Sequence, residues 1–297
     1  MTNQKISRDV HHLAHRMSGF QESSRIVPEE APIAMSYNGT TQAVMMATPG
    51  DLEDFAIGFS LTENIVTRIE EIEALDIVAF ESGIDIQMKL AKQPEQRLSA
   101  RRRFMAGPVG CGLCGIDSIE QALRPLHPLE ECSTTFTTRD IAAAVASLGA
   151  AQALNAKTHA THGAGFFRPG EGLFAVREDI GRHNALDKLI GAVAREGLLA
   201  EEGIVAITSR VSVEMVQKAV MLGVPVLAAI SAPTALAIRT AEAANLTLVA
   251  LVRDEEFDIY THCGRIIEVS QTSAAMRLRS LTICKAAWAA STPFTLK

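Results

Sequence analysis

The chain has 297 residues, 47% of them apolar, 21% charged and 5% aromatic, which suits a globular protein with one large or two smaller cores. Its net charge of −6 argues against a protein that coats nucleic acid. The five cysteines are odd in number and the N-terminus lacks an apolar secretory stretch, so reduced thiols in the cytoplasm are favoured over a disulfide framework.

Residues 1–27 are polar and read as a mobile tail; His11, His12 and His15 resemble a metal-binding tract, but nothing nearby completes a site. From Ala31 to Leu90 short alternating segments (IAMSYNG, AVMMAT, DIVAF, IDIQMKL) predict strands. Between them, DLEDFAIGFSLTENI places Leu52, Phe55, Ala56 and Phe59 on one helical face, with Asp51 as N-cap or first-turn acid. A small α+β domain is therefore expected over residues 28–138, ending in the loop region around CGLCG. Arg101, Arg102 and Arg103 approach that loop and read as a solvated face.

From Asp140 the pattern changes, and a larger α/β domain is expected over residues 139–297. DIAAAVASLGAAQALN and IGRHNALDKLIGAVAREG predict helices; the strands GIVAITS, VPVLAAIS and LTLVALV then alternate with the helices VEMVQKAVMLG and ALAIRTAEAAN, and FDIYTH closes the series. Such alternation implies parallel pairing through crossovers. The charge-free run Ala219–Ile238 contains Gly223, Pro225, Ser231, Pro233 and Thr234, so it reads as helix–strand–helix and no membrane span is expected. Ligands of open α/β sheets bind beyond the carboxyl ends of the strands. Ser209, Arg210 and Ser212 follow one such end and Ser231 and Thr234 the next, each loop leading into a helix N-terminus that suits a phosphate. Ser212 and Thr234 would serve equally as simple N-caps. There is no P-loop or dinucleotide-binding glycine motif.

The stretch VGCGLCGID holds Cys111 and Cys114 among glycines, and three readings stand. Cys111, Cys114, His127 and Cys132 have the spacing C-x2-C-x12-H-x4-C, near a zinc-finger rhythm, although a helix predicted from Asp117 would separate the ligand pairs. A thioredoxin-type redox pair ahead of a helix is the second reading. The third is a nucleophile on a flexible loop, free to swing between a sulfur donor and an acceptor. Deaminase chemistry is unsupported, because no histidine is followed two residues later by Glu and Val109-Gly110 precede Cys111 in place of Pro.

In order along the chain, CGLCG, REDIGRHNALDKLIG, SRVSVEMVQKAVMLGVPVLAAISAPTALAIRTAEAANLTLVALVR and IYTH resemble the FdhD/NarQ family of formate dehydrogenase accessory proteins, from about Pro28 to His262. TPGDLEDFAIGFSLTENI is also similar to the family's N-terminal part. The resemblance implies a cytidine-deaminase-like larger domain and a homodimer. It implies a sulfur carrier that takes persulfide sulfur from a cysteine desulfurase. The sulfur passes to the molybdenum cofactor, a bis(molybdopterin guanine dinucleotide), before insertion into formate dehydrogenase. It also implies Cys111 as the persulfide-bearing residue, with Cys114 its neighbour. The cofactor would meet Leu251, Val252, Arg253, Asp254, Glu255 and Glu256, with Arg253 on phosphate and Ser209, Arg210, Ser231 and Thr234 beside the pocket. GDP would serve as its analogue. In EDIGRHNALDK, His183 and Asp187 either pair on one helix face or join the pocket. Two departures from the family pattern stand out: Thr158-His159-Ala160-Thr161-His162 replaces T-G-G-x-H, and residues 270–297 extend past the usual end.

Overall fold

The computed structural model of the chain describes residues 5–95, 126–131, 134–269 and 279–280. Cys111, Cys114, Cys132 and the arginines at 101–103 lie outside these residues, as does the helix expected from Asp117.

The N-terminal segment departs from the expected tail. Strands β1 (Ser7–Arg16) and β2 (Gly19–Pro28) pair antiparallel along their whole length, from Ser7 opposite Pro28 to Arg16 opposite Gly19. The hairpin is tied to the body by Arg25 Nη2 donating to the Thr158 carbonyl at 3.0 Å, and its base by Glu29 N–H to the Ile6 carbonyl at 2.9 Å. Most of its residues are exposed on both faces. A strand with no buried face carries no alternation, which is why the sequence resembles a tail.

A four-stranded sheet follows, in the order β4 (Thr40–Ala47), β3 (Ala31–Tyr37), β6 (Gly83–Leu90), β5 (Ile72–Phe80). β3 and β6 run parallel and the other pairs antiparallel. Asn38 and Gly39 both have positive φ, 48° and 78°, and make the tight β3–β4 turn that an Asn-Gly pair favours. Ile33, Met35, Tyr37, Ile84, Ile86, Met88 and Leu90 point to one face and are buried under helix α1 (Leu52–Thr62), which contributes Phe55 and Ala56. Each large apolar side chain so buried contributes roughly 1.5–3 kcal/mol. Asp51 occupies the N-cap position of α1 without a side-chain cap bond; it faces Arg177 at 3.7 Å instead.

The larger unit is a mixed six-stranded sheet, β13-β12-β11-β10-β8-β9. β8 (His162–Arg168) and β9 (Gly172–Asp179) form a hairpin. β10 (Ile204–Ile207), β11 (Val226–Ala229) and β12 (Thr247–Arg253) are parallel, as expected, whereas β8 runs antiparallel to β10 and β13 (Glu256–Ile259) antiparallel to β12. The short strands IVAI and VLAA are buried at every position because helices cover both faces. One face packs on α2 (Thr138–Ala151) through Ile141, Ala144 and Leu148, with Phe136 just ahead of the helix in the same cluster. The other packs on α4 (Arg182–Arg195), α5 (Val213–Leu222) and α6 (Ala235–Ala243). α2 begins at a reciprocal capping box of Thr137 and Asp140. The single helix expected over DIAAAVASLGAAQALN breaks at Gln152, where ψ is 79°, and resumes as α3 (Ala153–Thr158). Short strands β7 (Phe136–Thr137), β14 (Ile266–Glu268) and β15 (Arg279–Ser280) form a small third sheet. Among the described residues no helix is long and apolar enough to cross a membrane.

The two units meet along α1 and α4, whose backbones touch at two glycines. A Cβ on Gly58 would lie 1.7 Å from the Asp187 carbonyl oxygen, and one on Gly191 would lie 1.9 Å from that of Asp54. Charged groups close the seam on either side of this contact. Asp54 pairs with Arg177 and Arg195, each at 2.6 Å, and at the other end Thr62 donates to Asp187 at 2.7 Å and accepts from Lys218 at 2.9 Å.

Candidate functional site

The carboxyl ends of β10, β11 and β12 lie side by side, and their loops are stitched together. Val211 and Pro233 form a parallel bridge beyond the strands. Val211 N–H donates to Ala232 O at 3.2 Å, and Thr234 N–H to Val211 O at 3.0 Å. Arg253 Nη1 donates to Ile230 O at 2.6 Å and Val252 O at 2.9 Å, drawing the end of β12 onto the loop after β11. The structure thus unites Ser209, Arg210, Ser231, Thr234 and Arg253 on one edge.

Their individual roles differ. Thr234 is a true N-cap, its Oγ1 accepting from Ala237 N–H at 3.1 Å. Ser209 is buried and donates to Arg210 O at 3.0 Å, while Arg210 itself is exposed. Ser231 is half-buried. Leu251 and Asp254 adopt positive φ, 58° and 53°, at the bulged β12–β13 turn. Leu251, Arg253, Asp254, Glu255 and Glu256 are exposed there. Val252 is not: it is 2% exposed in the core under α2, so only its main chain could touch a ligand. The turn carries three carboxylates and one guanidinium, an arrangement better matched to N–H donors of a base than to phosphate alone.

The segment EDIGRHNALDK divides between structure and site. Glu178 caps α3, accepting from Leu154 and Asn155 N–H at 2.7 Å each. Asp179 is fully buried and accepts from Lys188 (2.7 Å), Thr48 N–H (3.0 Å), Gly181 N–H (2.8 Å) and Asn184 (3.0 Å). His183 and Asp187 do not pair on a helix face. Asp187 binds Lys218 and Thr62; burial raises its carboxyl above the usual value despite Lys218. His183 turns toward Glu214, with Nε2 and Oε2 4.0 Å apart. Burial, then the charges of Arg182 and Lys218, push His183 down to about 4, against the pull of Glu214. Burial and Arg182 likewise lower His162, at the start of β8. Glu214 sits below its usual value: burial acts to raise it, but the neighbouring Ser212 hydroxyl, its own backbone N–H and nearby positive charge prevail. Arg182 and Glu214 were not singled out from sequence. The available signal was a charged pair opening a helix directly after Gly181.

Where the family pattern has T-G-G-x-H, His159 takes the first glycine's place with φ 52° and forms the left-handed C-cap of α3. The backbone turn survives the loss of glycine. A separate groove of about 310 Å³ lies between Leu61, Val66, Ile190, Val193, Leu198 and Met221. It borders the carboxyl-terminal parts of α4 and α5, away from the loop edge, and its lining is mostly apolar. Among the described residues no cluster of three or more His, Cys, Asp or Glu is placed to hold a metal.

The model of the FdhD/NarQ family matches residues 28–267, which include Cys111, Cys114 and every residue of the three-loop edge. The chain belongs to the FdhD/NarQ family. It is 61% identical over 243 residues to the Sulfur carrier protein FdhD of Agrobacterium fabrum, covering 82% of this chain and 90% of that protein. The protein of the same name from Cupriavidus necator is 49% identical over 240 residues, covering 81% and 83%. A solved structure, a putative formate dehydrogenase accessory protein from Desulfotalea psychrophila, is similar with a TM-score of 0.69 and 26% identity, covering 88% of this chain and all of that one.

Proposed function

We propose that the protein is a sulfur carrier in the maturation of formate dehydrogenase. It accepts persulfide sulfur from a cysteine desulfurase and passes it to the molybdenum cofactor in its bis(molybdopterin guanine dinucleotide) form. The observation that carries this reading is the family match over residues 28–267, which takes in CGLCG and the three-loop edge together. The Cys111 thiolate attacks the outer sulfur of the donor persulfide. A new S–S bond forms at Cys111 as the donor's breaks, and the donor cysteine leaves as thiolate. Cys114, three residues on, assists. The cofactor is cargo rather than a resident group. We place its guanine dinucleotide part at the edge formed by Ser209, Arg210, Ser231, Thr234 and the turn Leu251–Glu256. The helix starts there supply donors for phosphate oxygens, and the acidic turn supplies acceptors for guanine N–H groups. The sulfur-transfer chemistry belongs to a cytoplasmic homodimer in this reading. A larger domain of cytidine-deaminase-like type agrees with the order hairpin, helix, then alternating parallel strands and helices.

The test is intact-mass measurement after incubation with a desulfurase and cysteine, with and without reductant. The expected outcome is one added sulfur, removed by reductant and absent in Cys111→Ala, with Cys114→Ala only partly impaired. An undiminished adduct in Cys111→Ala would place the carrier role on another residue.

A further inference from the structure

Nine of the thirteen large apolar side chains that stand exposed among the described residues lie before residue 81, and they gather in two places. One is the hairpin of β1 and β2, a two-stranded sheet of its own. The face that carries Ala14 and Arg25 turns to the body: Ala14 is buried, and Arg25 reaches the Thr158 carbonyl. Alternate residues make up the opposite face. There Leu13 lies diagonal to Phe20, since Leu13 pairs with Glu22 and His15 with Phe20. Leu13 is 63% and Phe20 72% exposed, and the His15 and Phe20 rings meet edge to face with centroids 5.1 Å apart. A two-stranded ribbon alone is marginal in water, and one that holds Leu and Phe on its free face calls for a covering surface.

The second place is the face of the four-stranded sheet turned away from α1. The register sets Val44 beside Ala34 and Met46 beside Pro32, with Phe80 opposite Gly83 on the far strands. Val44, Met46 and Phe80 are each half exposed or more, because the hairpin of the same chain is held on α3 and leaves this face open. Charge divides in the same way. Residues 5–28 carry four Lys or Arg against two acids, whereas residues 31–95 carry eleven acids against three Lys or Arg. Asp76 and Asp85 lie on the open sheet face and Glu81 beside it, while Arg16 and His15 stand at the hairpin tip. Glu22 on the hairpin and Lys89 on the sheet run against this division, but Lys89 is paired with Glu73 at 2.9 Å.

We propose that the hairpin of one copy lies on the open sheet face of a second copy, with Leu13 and Phe20 against Val44, Met46 and Phe80. Arg16 then faces the edge that carries Asp76, Glu81 and Asp85. The contact is made twice about a two-fold axis, so it closes on a pair and leaves neither half unused. It gives the homodimer of the functional reading above its contact surface, and it rests on that reading for the number of copies. All of the hairpin but Pro28 precedes the family match, so the arm of this clasp belongs to the chain's own extension.

Sedimentation equilibrium on the full chain tests the clasp, using Phe20→Asp on the hairpin and Phe80→Asp on the sheet. Both side chains are exposed, so neither change opens the core. The unaltered chain should be a dimer. Each variant alone should dissociate at least about tenfold more readily, because a carboxylate would be buried at both contacts. An equal mixture of the two variants should associate more tightly than either alone, since the mixed pair keeps one contact whose hairpin and sheet are both unaltered. Thermal melts identify any variant that fails to fold; should Phe80→Asp do so, Met46→Glu is judged on the same criterion. A monomeric unaltered chain, or a dimer indifferent to both variants, overturns the clasp. Loss in each variant without recovery on mixing overturns it too, by assigning the dimer to other surfaces. Sulfur loading of Cys111 is read on the same samples: a dimer that behaves as expected but gains no sulfur keeps the clasp and removes the carrier reading.

Discussion

His183 is a half-buried imidazole held down to about 4, against 6.5 for the free side chain, by burial and by Arg182 and Lys218. Glu214 opposes the shift and His162 adds to it. Above about pH 6.5 neither the folded nor the unfolded chain protonates this residue, and it has no effect on stability. Between that value and about 4 the unfolded chain binds the proton and the native one does not, so stability falls as pH falls. His183→Gln should therefore flatten the decline in urea midpoint across this window. Parallel curves for the two proteins would show that the decline arises elsewhere. Glu214, His162 and Asp187 remain in the variant and contribute to any residual slope.

The contact between α1 and α4 depends on the absence of two Cβ atoms. At Gly58 and Gly191 the obstructing atoms are main-chain atoms of the facing helix, at 1.7 Å and 1.9 Å, and cannot rotate away. Gly58→Ala must push the helices apart and is expected to cost about 3 kcal/mol or more. A Cβ on Gly149, inside α2, would meet nothing within 4 Å. Gly149→Ala should instead stabilise by about 0.5–1 kcal/mol, through the lower backbone entropy of the unfolded chain. Chemical denaturation of the two variants side by side separates these outcomes; destabilisation of both to the same degree would dismiss the close-contact argument.

A buried ion pair of the larger unit grips the main chain of the smaller one at Thr48. Lys188 and Asp179 are both fully buried and 2.7 Å apart, and Lys188 also donates to Thr48 O at 2.8 Å. Lys188→Met leaves the Asp179 carboxylate without its countercharge and is expected to cost about 3–5 kcal/mol. Adding Asp179→Asn should recover part of that loss; no recovery in a denaturation series would mean that packing, not charge, dominates there. The sequence by itself determined the alternating helices and strands from Arg182 to Ile259, because buried strands and amphipathic helices repeat their apolar residues locally, but not the hairpin of β8 and β9. It also located the hydroxyl-bearing loops after β10 and β11, since a strand's end and the next helix's start are adjacent in the chain, and it carried the family motifs. Tertiary structure alone decided the rest. The exposed hairpin Ser7–Pro28 has no buried face to leave a pattern. Val252 lies within the stretch Leu251–Glu256 that was expected to meet a cofactor, yet it points into the core. Lys188 finds Thr48 140 residues away, and Arg195 finds Asp54 141 residues away. Contacts at that separation leave no periodicity along the chain, so only the packed structure shows that Asp179 and Asp187 are spent on the seam through Thr48 and Thr62.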